Sequence, residues 1–358
     1  MPPTHHQLLQ LLQVAISGQP HEGIARKVDD WKALFNLSID QGVRGLVWQG
    51  IELQKRAGLL DVPLTTMLEW YGSVQQLEKL VSRLHNLSRE FAEGLQPYPC
   101  LVLKGIDYSR YWPIPLHREF GDLDFYSGDD FDATNAKAKQ MGAEVEDGGY
   151  KHSHIHYKGL PVENHRFFTQ FNGTTQGYRT EQLLKSVLQT PFAPIEGTAF
   201  VSPNADFTAV YLLRHAQLHF LDEGIKIRHL LDWLFFLKAE AHKVDWPRVT
   251  AAMAEIGLIE FARIATAFCQ HYLGWTPCEM PAAISDLPAD DPLLAKFFDD
   301  VINPQPDGYD PRLHLKALRI VRRSARTFRF RRLLNESYFY KLWQSLLYNS
   351  VTGIRPKV

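Results

Sequence analysis

Asp122 and Asp124, in the run Gly121-Asp122-Leu123-Asp124-Phe125, are the residues whose types and spacing point most directly to chemistry. Side chains two apart on a strand project from one face, so both carboxylates would converge while Leu123 and Phe125 turn inward. Converging carboxylates suit a hard divalent cation, magnesium or manganese, which also gathers phosphates. A two-metal phosphoryl-transfer centre needs a further carboxylate. Glu163, in Pro161-Val162-Glu163-Asn164-His165, is the best candidate. Upstream, Lys104-Gly105 closes the apolar run Cys100-Leu101-Val102-Leu103 and precedes a helix-like segment from Ile106 to Trp112. A glycine there lets a phosphate approach the backbone, a helix N-terminus attracts anions, and Lys104 adds a point charge. Arg118 is a second phosphate candidate, and His165 is placed to contact phosphate or to hold Glu163. The plainer alternatives are an exposed strand end for the Asp pair and an ordinary turn lysine for Lys104. Asp130 and Asp132 repeat the spacing, but they open a helix, where acidic residues cap and complement the dipole.

Other groups are ambiguous. His152, His154 and His156 alternate along one strand face, as transition-metal ligands can. An edge strand lining a cleft is the preferred reading. His215 and His219 lie four apart on a helix and could share a metal, but no glutamate follows the first histidine as in a metalloprotease, so a structural role is preferred. Between Lys316 and Arg332 the chain carries eight Lys or Arg and no acid, with Phe328 and Phe330 interleaved. That segment could track an RNA backbone. A helix packed through Leu318, Val321 and Ala325 with a solvated basic face is the preferred alternative.

The elements that must position these residues are legible in outline. Trp70, Val74, Leu77, Val81, Leu84, Leu87, Phe91 and Leu95 step by three or four, which predicts one long amphipathic helix. Asp29-Asp30 caps a helix opening at Trp31, Gly42 ends it, and a further helical segment runs through Val47 and Ile51. From Pro99 to roughly Arg179 the order is strand (Cys100–Leu103), helix, strand (Phe120–Ser127), then a helix from Asp129 or Asp130 to Gly142. Strand-like pieces follow at Ala143–Glu146, His152–Tyr157 and Val162–Phe168. After Asn204 the chain is helical again, with segments up to Gly224, from Ile225 to Lys238, and from an Asp245 cap with Pro247 in the first turn. Pro277 to Pro311 reads as connecting structure broken by a short helix. The predicted fold class is α+β, a small mixed-sheet core at residues 98–200 between helical regions at 1–97 and 201–358.

Composition sets the frame. The 358 residues are 45% hydrophobic and 22% charged, which excludes disorder, collagen or a coiled-coil rod as whole-chain descriptions. Thirty-nine Lys and Arg balance forty Asp and Glu, so no global field draws the chain to nucleic acid or to an anionic membrane. Three widely spaced cysteines fit neither a disulfide framework nor a zinc ribbon. The N-terminal stretch lacks a basic n-region, and the apolar run Leu230–Leu237 is too short to span a bilayer and contains Asp232. A cytoplasmic protein without a membrane partner is the expectation.

Leu103-Lys104-Gly105, then Arg118-x-x-Gly121-Asp122-Leu123-Asp124, then Val162-Glu163 before His165, resembles the uncharacterised nucleotidyltransferase family of the polymerase-β-like nucleotidyltransferase superfamily. Asp40-x-Gly42-Val43, His219-Phe220-x-x-Glu223-Gly224-Ile225 and Arg228-His229-Leu230-Leu231-Asp232-Trp233 extend the resemblance over roughly residues 25 to 260. The turn departs from the Gly-Gly or Gly-Ser of many superfamily members. The resemblance implies metal binding by Asp122, Asp124 and Glu163 and triphosphate contact at Lys104 and Gly105. It also places His219, Arg228 and Asp232 in a wall of the nucleotide or acceptor site. The implied activity is magnesium-dependent transfer of a nucleoside monophosphate from an NTP to a hydroxyl of a small molecule, RNA or protein. A nucleotide-binding or interaction protein that keeps the fold without catalysis is the alternative.

Overall fold

A computed structural model of the chain describes residues 2–169, 175–276, 280–303, 321–322 and 324–334. Four helices come first: α1 (Pro3–Ser17), α2 (Trp31–Asp40), α3 (Arg44–Arg56) and α4 (Leu64–Gly94). The Asp30 carboxylate caps α2 by accepting the Ala33 N–H at 2.9 Å, and the turn after α2 is closed by Gly42 at φ +66°. Helix α4 begins six residues before the apolar stripe, because its first leucines, Leu64 and Leu68, are exposed and carry no buried face. Its stripe from Trp70 to Phe91 is buried.

The sheet has seven strands: β1 (Cys100–Val102), β2 (Leu123–Tyr126), β3 (Glu144–Asp147), β4 (His152–Tyr157), β5 (Leu160–His165), β6 (Ala193–Pro194) and β7 (Phe200–Ser202). Their spatial order is β3-β4-β5-β2-β1-β7-β6. β2 pairs with β5 and β1 with β7 in parallel; the other pairs are antiparallel. Interleaved are α5 (Ile106–Ser109), α6 (Phe131–Gln140) and α7 (Thr175–Val187). The fold is α+β, as the sequence predicts, with three local corrections. Strand β2 starts at Leu123, so Asp122 lies just outside the ladder at its entrance. The segment after Gly105 is helical only to Ser109. Strand β4, expected at an edge, is interior, because the polar hairpin partner β3 covers its outer side.

Helices α8 (Ala205–Asp222), α9 (Ile227–Glu240), α10 (Trp246–Glu255), α11 (Ile259–His271), α12 (Ala282–Ser285) and α13 (Pro292–Ile302) follow. Asp245 caps α10 as expected, accepting the Arg248 N–H at 3.2 Å. The stretch expected to hold one short helix holds two among its described residues, α12 and α13; residues 277–279 and 304–311 of it lie outside the described residues.

Two apolar cores organise these layers. One packs Leu77, Val81, Leu84 and Phe91 of α4 against Leu123, Phe125, Ile155 and Val162 on one sheet face. The other joins α1, α2 and α3 to α8, α9, α11 and α13, so the first and last helical regions share one core. Gln41 ties them together: its Oε1 accepts the Ile227 N–H at 2.8 Å, and its Nε2 donates to the Val301 carbonyl at 3.0 Å. The apolar run Leu230–Leu237 lies within this core, and no described helix is long and apolar enough to cross a membrane. Cys100 and Cys269 are buried free thiols; burial pushes the Cys100 thiol up to about 12.

The basic segment packs differently from the expectation. Val321 is 63% exposed and Ala325 is also exposed, while Thr327, Phe330 and Leu333 are buried. Arg326 pairs with Asp300 and lies over the Phe220 ring, and Phe330 meets Phe220 edge-on at 4.7 Å. Part of its charge is therefore neutralised inside the fold. Leu318 and the rest of residues 316–320 lie outside the described residues.

Candidate active site

Strand register sets out the acidic face. Asp124 of β2 stands opposite Glu163 of β5, and Glu163 stands opposite His154 of β4. The next row is Tyr126, His165 and His152. Paired residues share a face, so these six side chains project together, away from the α4 core. The apolar alternates Leu123, Phe125, Val162 and Ile155 bury on the other side and hold the register.

The fully buried Asp124 is held from two directions. Lys104 Nζ lies 3.1 Å from its Oδ2, and His165 Nε2 lies 3.0 Å from its Oδ1. His165 Nε2 is also 3.3 Å from Glu163 Oε2, so this histidine bridges the two carboxylates. Asp124, Glu163 and His165 thus place ligand atoms within 4.8 Å of one another. Asp122 joins from the far side of Lys104, whose Nζ is 3.8 Å from its Oδ2. Burial opposes ionisation of Asp124, but Lys104 and His165 outweigh it and hold the carboxyl below its usual range. Burial, with Asp124 beside it, pushes Asp122 up. Glu163 is also desolvated, yet the His165 hydrogen bond brings it below its usual value. Burial disfavours the Lys104 ammonium, but Asp124, Asp122 and Glu163 raise its pKa. Adjacent carboxylates need positive charge or hydrogen-bond donors; here the Lys104 ammonium supplies charge, and the His165 ring nitrogen makes the contacts to both carboxylates. Oxygen donors gathered around a compact cation are the donor set a hard divalent ion requires.

The turn at Gly105 has a steric reason. Its φ is +78°, and a Cβ would lie 2.7 Å from Phe120 Cε2 and 2.8 Å from the Asp122 carbonyl oxygen. Only glycine fits there. Arg118 fixes the turn from behind, donating from Nη1 to the Gly105 carbonyl at 3.1 Å. Its Nε and Nη2 form a bidentate pair with Asp232 at 2.8 and 2.9 Å. Arg118, expected at a phosphate, is therefore buried and neutralised, because Asp232 reaches it from α9. Trp112 Nε1 adds a hydrogen bond to Asp232 Oδ1 at 2.9 Å.

A pocket of about 300 Å³ opens beside Lys104, Gly105 and Asp122, with α8 and α9 as its far wall. His219, Arg228 and Asp232 all line it. Arg228 donates from Nη1 to the Glu119 carbonyl at 3.0 Å, and its buried Nε has no hydrogen-bond partner among the described residues. Burial lowers its pKa. His219 Nδ1 is 2.6 Å from Glu223 Oε1, and His215 lies against it with ring centroids 4.5 Å apart. Burial drives His215 well below its usual pKa. The two histidines end a ring ladder along α8, Phe207, Tyr211, His215 and His219, spaced by four residues. Its first half escaped the sequence reading, although the spacing was visible. Lys151 also escaped it: a half-buried lysine just before β4 whose desolvation holds its pKa below the usual value, although Asp124 and Glu163 act on it in the other direction. No sequence pattern distinguishes that lysine from a surface one.

A family model described as "Uncharacterised nucleotidyltransferase" matches residues 27–274, more than half of the chain. A search of curated proteins and a search of solved structures each found no match.

Proposed function

The chain belongs to this family of uncharacterised nucleotidyltransferases, and from that premise we propose that it transfers a nucleoside monophosphate from an NTP to a hydroxyl acceptor. In the proposed reaction a bond forms between the acceptor oxygen and the α-phosphorus, the bond to the β-phosphate oxygen breaks, and pyrophosphate leaves. The acceptor proton passes to Glu163 or to water. The observation that carries the reading is the in-register pair Asp124 and Glu163, with Asp122 beside Lys104 at the mouth of the pocket. These three carboxylates would hold magnesium or manganese. When bound, such ions screen phosphate charge and acidify the acceptor hydroxyl.

The chain's own residues supply the rest. Lys104, whose ammonium lies between the Asp pair at the pocket lining, would contact the triphosphate, and the bare Gly105 backbone gives phosphate oxygens room. Arg228, with a buried nitrogen still unpartnered, takes the phosphate role that the sequence reading assigned to Arg118. Arg118 keeps the Gly105 turn in place through its carbonyl contact. His165 holds Glu163 beside Asp124.

The test incubates the protein with each α-labelled NTP and magnesium, with RNA, protein and small-hydroxyl acceptors in separate reactions. Pyrophosphate release and label transfer are expected, falling at least about a thousandfold in Asp122→Ala/Asp124→Ala. Asp122→Asn, at a half-buried position, gives the same readout with the buried Asp124 intact. Label transfer surviving the double substitution would show that the site lies elsewhere. Nucleotide binding by calorimetry without pyrophosphate release would instead establish the non-catalytic alternative.

A further inference from the structure

Next to the carboxylate pair the same sheet face carries a second, chemically different donor set. His154 Nδ1 lies 3.7 Å from Glu163 Oε1, and His152 Nδ1 lies 3.9 Å from Glu163 Oε2. The three ligand atoms fall within 4.8 Å of one another, and all three side chains are partly open to solvent. The two imidazole rings stand edge to face at 4.7 Å. His152 Nδ1 is buried and has no hydrogen-bond partner among the described residues. Gly148 completes the cradle, since a Cβ there would lie 2.8 Å from His152 Cδ2 and 3.1 Å from His154 Cδ2. Any larger residue at 148 would push both rings aside.

We propose that His152, His154 and Glu163 form a site for a borderline divalent transition metal, of which zinc is the type. Two neutral imidazole nitrogens and one carboxylate make a mixed N/O set that magnesium disfavours and that zinc, cobalt and nickel accept. A tetrahedral zinc with bonds of about 2.0–2.1 Å sets its ligand atoms ~3.3 Å apart. The 3.7 and 3.9 Å approaches are to the two different oxygens of Glu163, and one ligand atom from each residue falls within 4.8 Å of the other two, so side-chain rotations of up to about 1.5 Å would close the set on one ion. Three protein ligands leave the fourth position to a water or another small donor, unlike a sealed four-ligand structural site. The strand geometry explains why the set exists. Interior strand β4 points His152 and His154 to the same side, and β5 delivers Glu163 directly opposite His154. Glu163 is therefore common to this set and to the Asp124 cluster, and a metal held by the histidines would draw it away from Asp124. The proposal stands on ligand geometry alone and does not depend on the nucleotidyl-transfer reading.

The test uses tag-free, chelator-treated full chain titrated with zinc chloride in millimolar magnesium, followed by calorimetry and by metal content after dialysis. The expected result is one zinc per chain that magnesium does not displace. Replacement by cobalt should give the visible bands of a four-coordinate site. His154→Gln, at a half-exposed ring, and His152→Ala/His154→Ala are each expected to weaken zinc binding by more than about tenfold. His156→Ala, the next residue on the same face, should leave it unchanged. Failure of the wild-type chain to retain stoichiometric zinc would overturn the proposal. So would equal retention by His154→Gln, which would assign any bound zinc to the Asp124, Glu163 and His165 group.

Discussion

Replacing Asp232 by asparagine removes one charge and almost no volume, which makes it the cleanest probe of how the Gly105 turn is held. Asp232 Oδ1 accepts from Arg118 Nε at 2.8 Å and from Trp112 Nε1 at 2.9 Å, while Oδ2 accepts from Arg118 Nη2 at 2.9 Å. The two side chains are only 8% and 6% exposed. In Asp232→Asn the Oδ1 contacts survive, but an NH2 now faces the guanidinium donor, and the Arg118 charge stays buried without an anion. Breaking a buried pair from one side costs about 3–5 kcal/mol. Water entering the adjoining pocket can solvate part of the orphaned charge, so ~2–4 kcal/mol is the expected loss. The double substitution Arg118→Met/Asp232→Leu removes both charges together but leaves Trp112 Nε1 and the Gly105 carbonyl without these partners, so it should cost about 1–3 kcal/mol and no more than the single variant. Equilibrium urea unfolding followed by tryptophan fluorescence reads both. A single variant within about 0.5 kcal/mol of wild type, or a double variant worse than the single, would refute the claim that this pair is a desolvated anchor.

Two further predictions concern the scaffold. Glu181 accepts the backbone N–H groups of both Phe168 and Thr169 on the one oxygen Oε2, and burial pushes its carboxyl from 4.5 up to about 7. Its folded pKa lies above the unfolded one, so its contribution is full below about pH 4.5 and is lost as pH rises through about 7. Glu181→Gln keeps the accepting oxygen; unfolding measured from pH 4 to 8 should show it level with wild type at the acid end and up to about 3 kcal/mol more stable at the alkaline end. A pH profile parallel to wild type would refute the assignment. Gly105→Ala should cost ~2–4 kcal/mol by thermal or urea unfolding, from the positive φ and the two sub-3 Å approaches combined, and a near-neutral result would mean that the turn can relax.

What was legible in the sequence was local. The Asp30 and Asp245 caps, the buried stripe of α4 and the apolar run of β1 each depend on residues within a few positions of one another. The same holds for Asp124 and Glu163, whose apolar neighbours dictate which way they face. Non-local partnerships were not legible. Nothing near Arg118 in the chain announces that Asp232, on a helix more than a hundred residues later, will take its charge and leave Arg228 with the spare nitrogen. Strand β4 looked like an edge because its alternation is polar on one side. Only the arrival of β3 makes it interior, and only the β5 register turns three scattered histidines and a glutamate into neighbours. Asp122 falls just outside the strand, with its carbonyl oxygen beside the Gly105 turn, a neighbourhood of segments that no periodicity encodes. In the basic segment, charge pattern suggested the packing face, but a salt bridge to Asp300 and a seat on Phe220 rotated it.

The Gln41 clasp has a consequence for how the protein is made. Its partners Ile227 and Val301 lie 186 and 260 residues further along the chain. At about 5–20 residues per second on a ribosome, the interval before Ile227 even exists is roughly 10–40 s. Through that time the apolar faces of α1, α2 and α3 have no permanent cover, and the sheet face bearing Asp124 lacks α8. The nascent chain therefore passes through a stage in which the first helices wait for their late partners while the sheet, whose last strand ends at Ser202, is still being made. Chaperone engagement during synthesis, rather than after release, is the demand that this connectivity places on the cell.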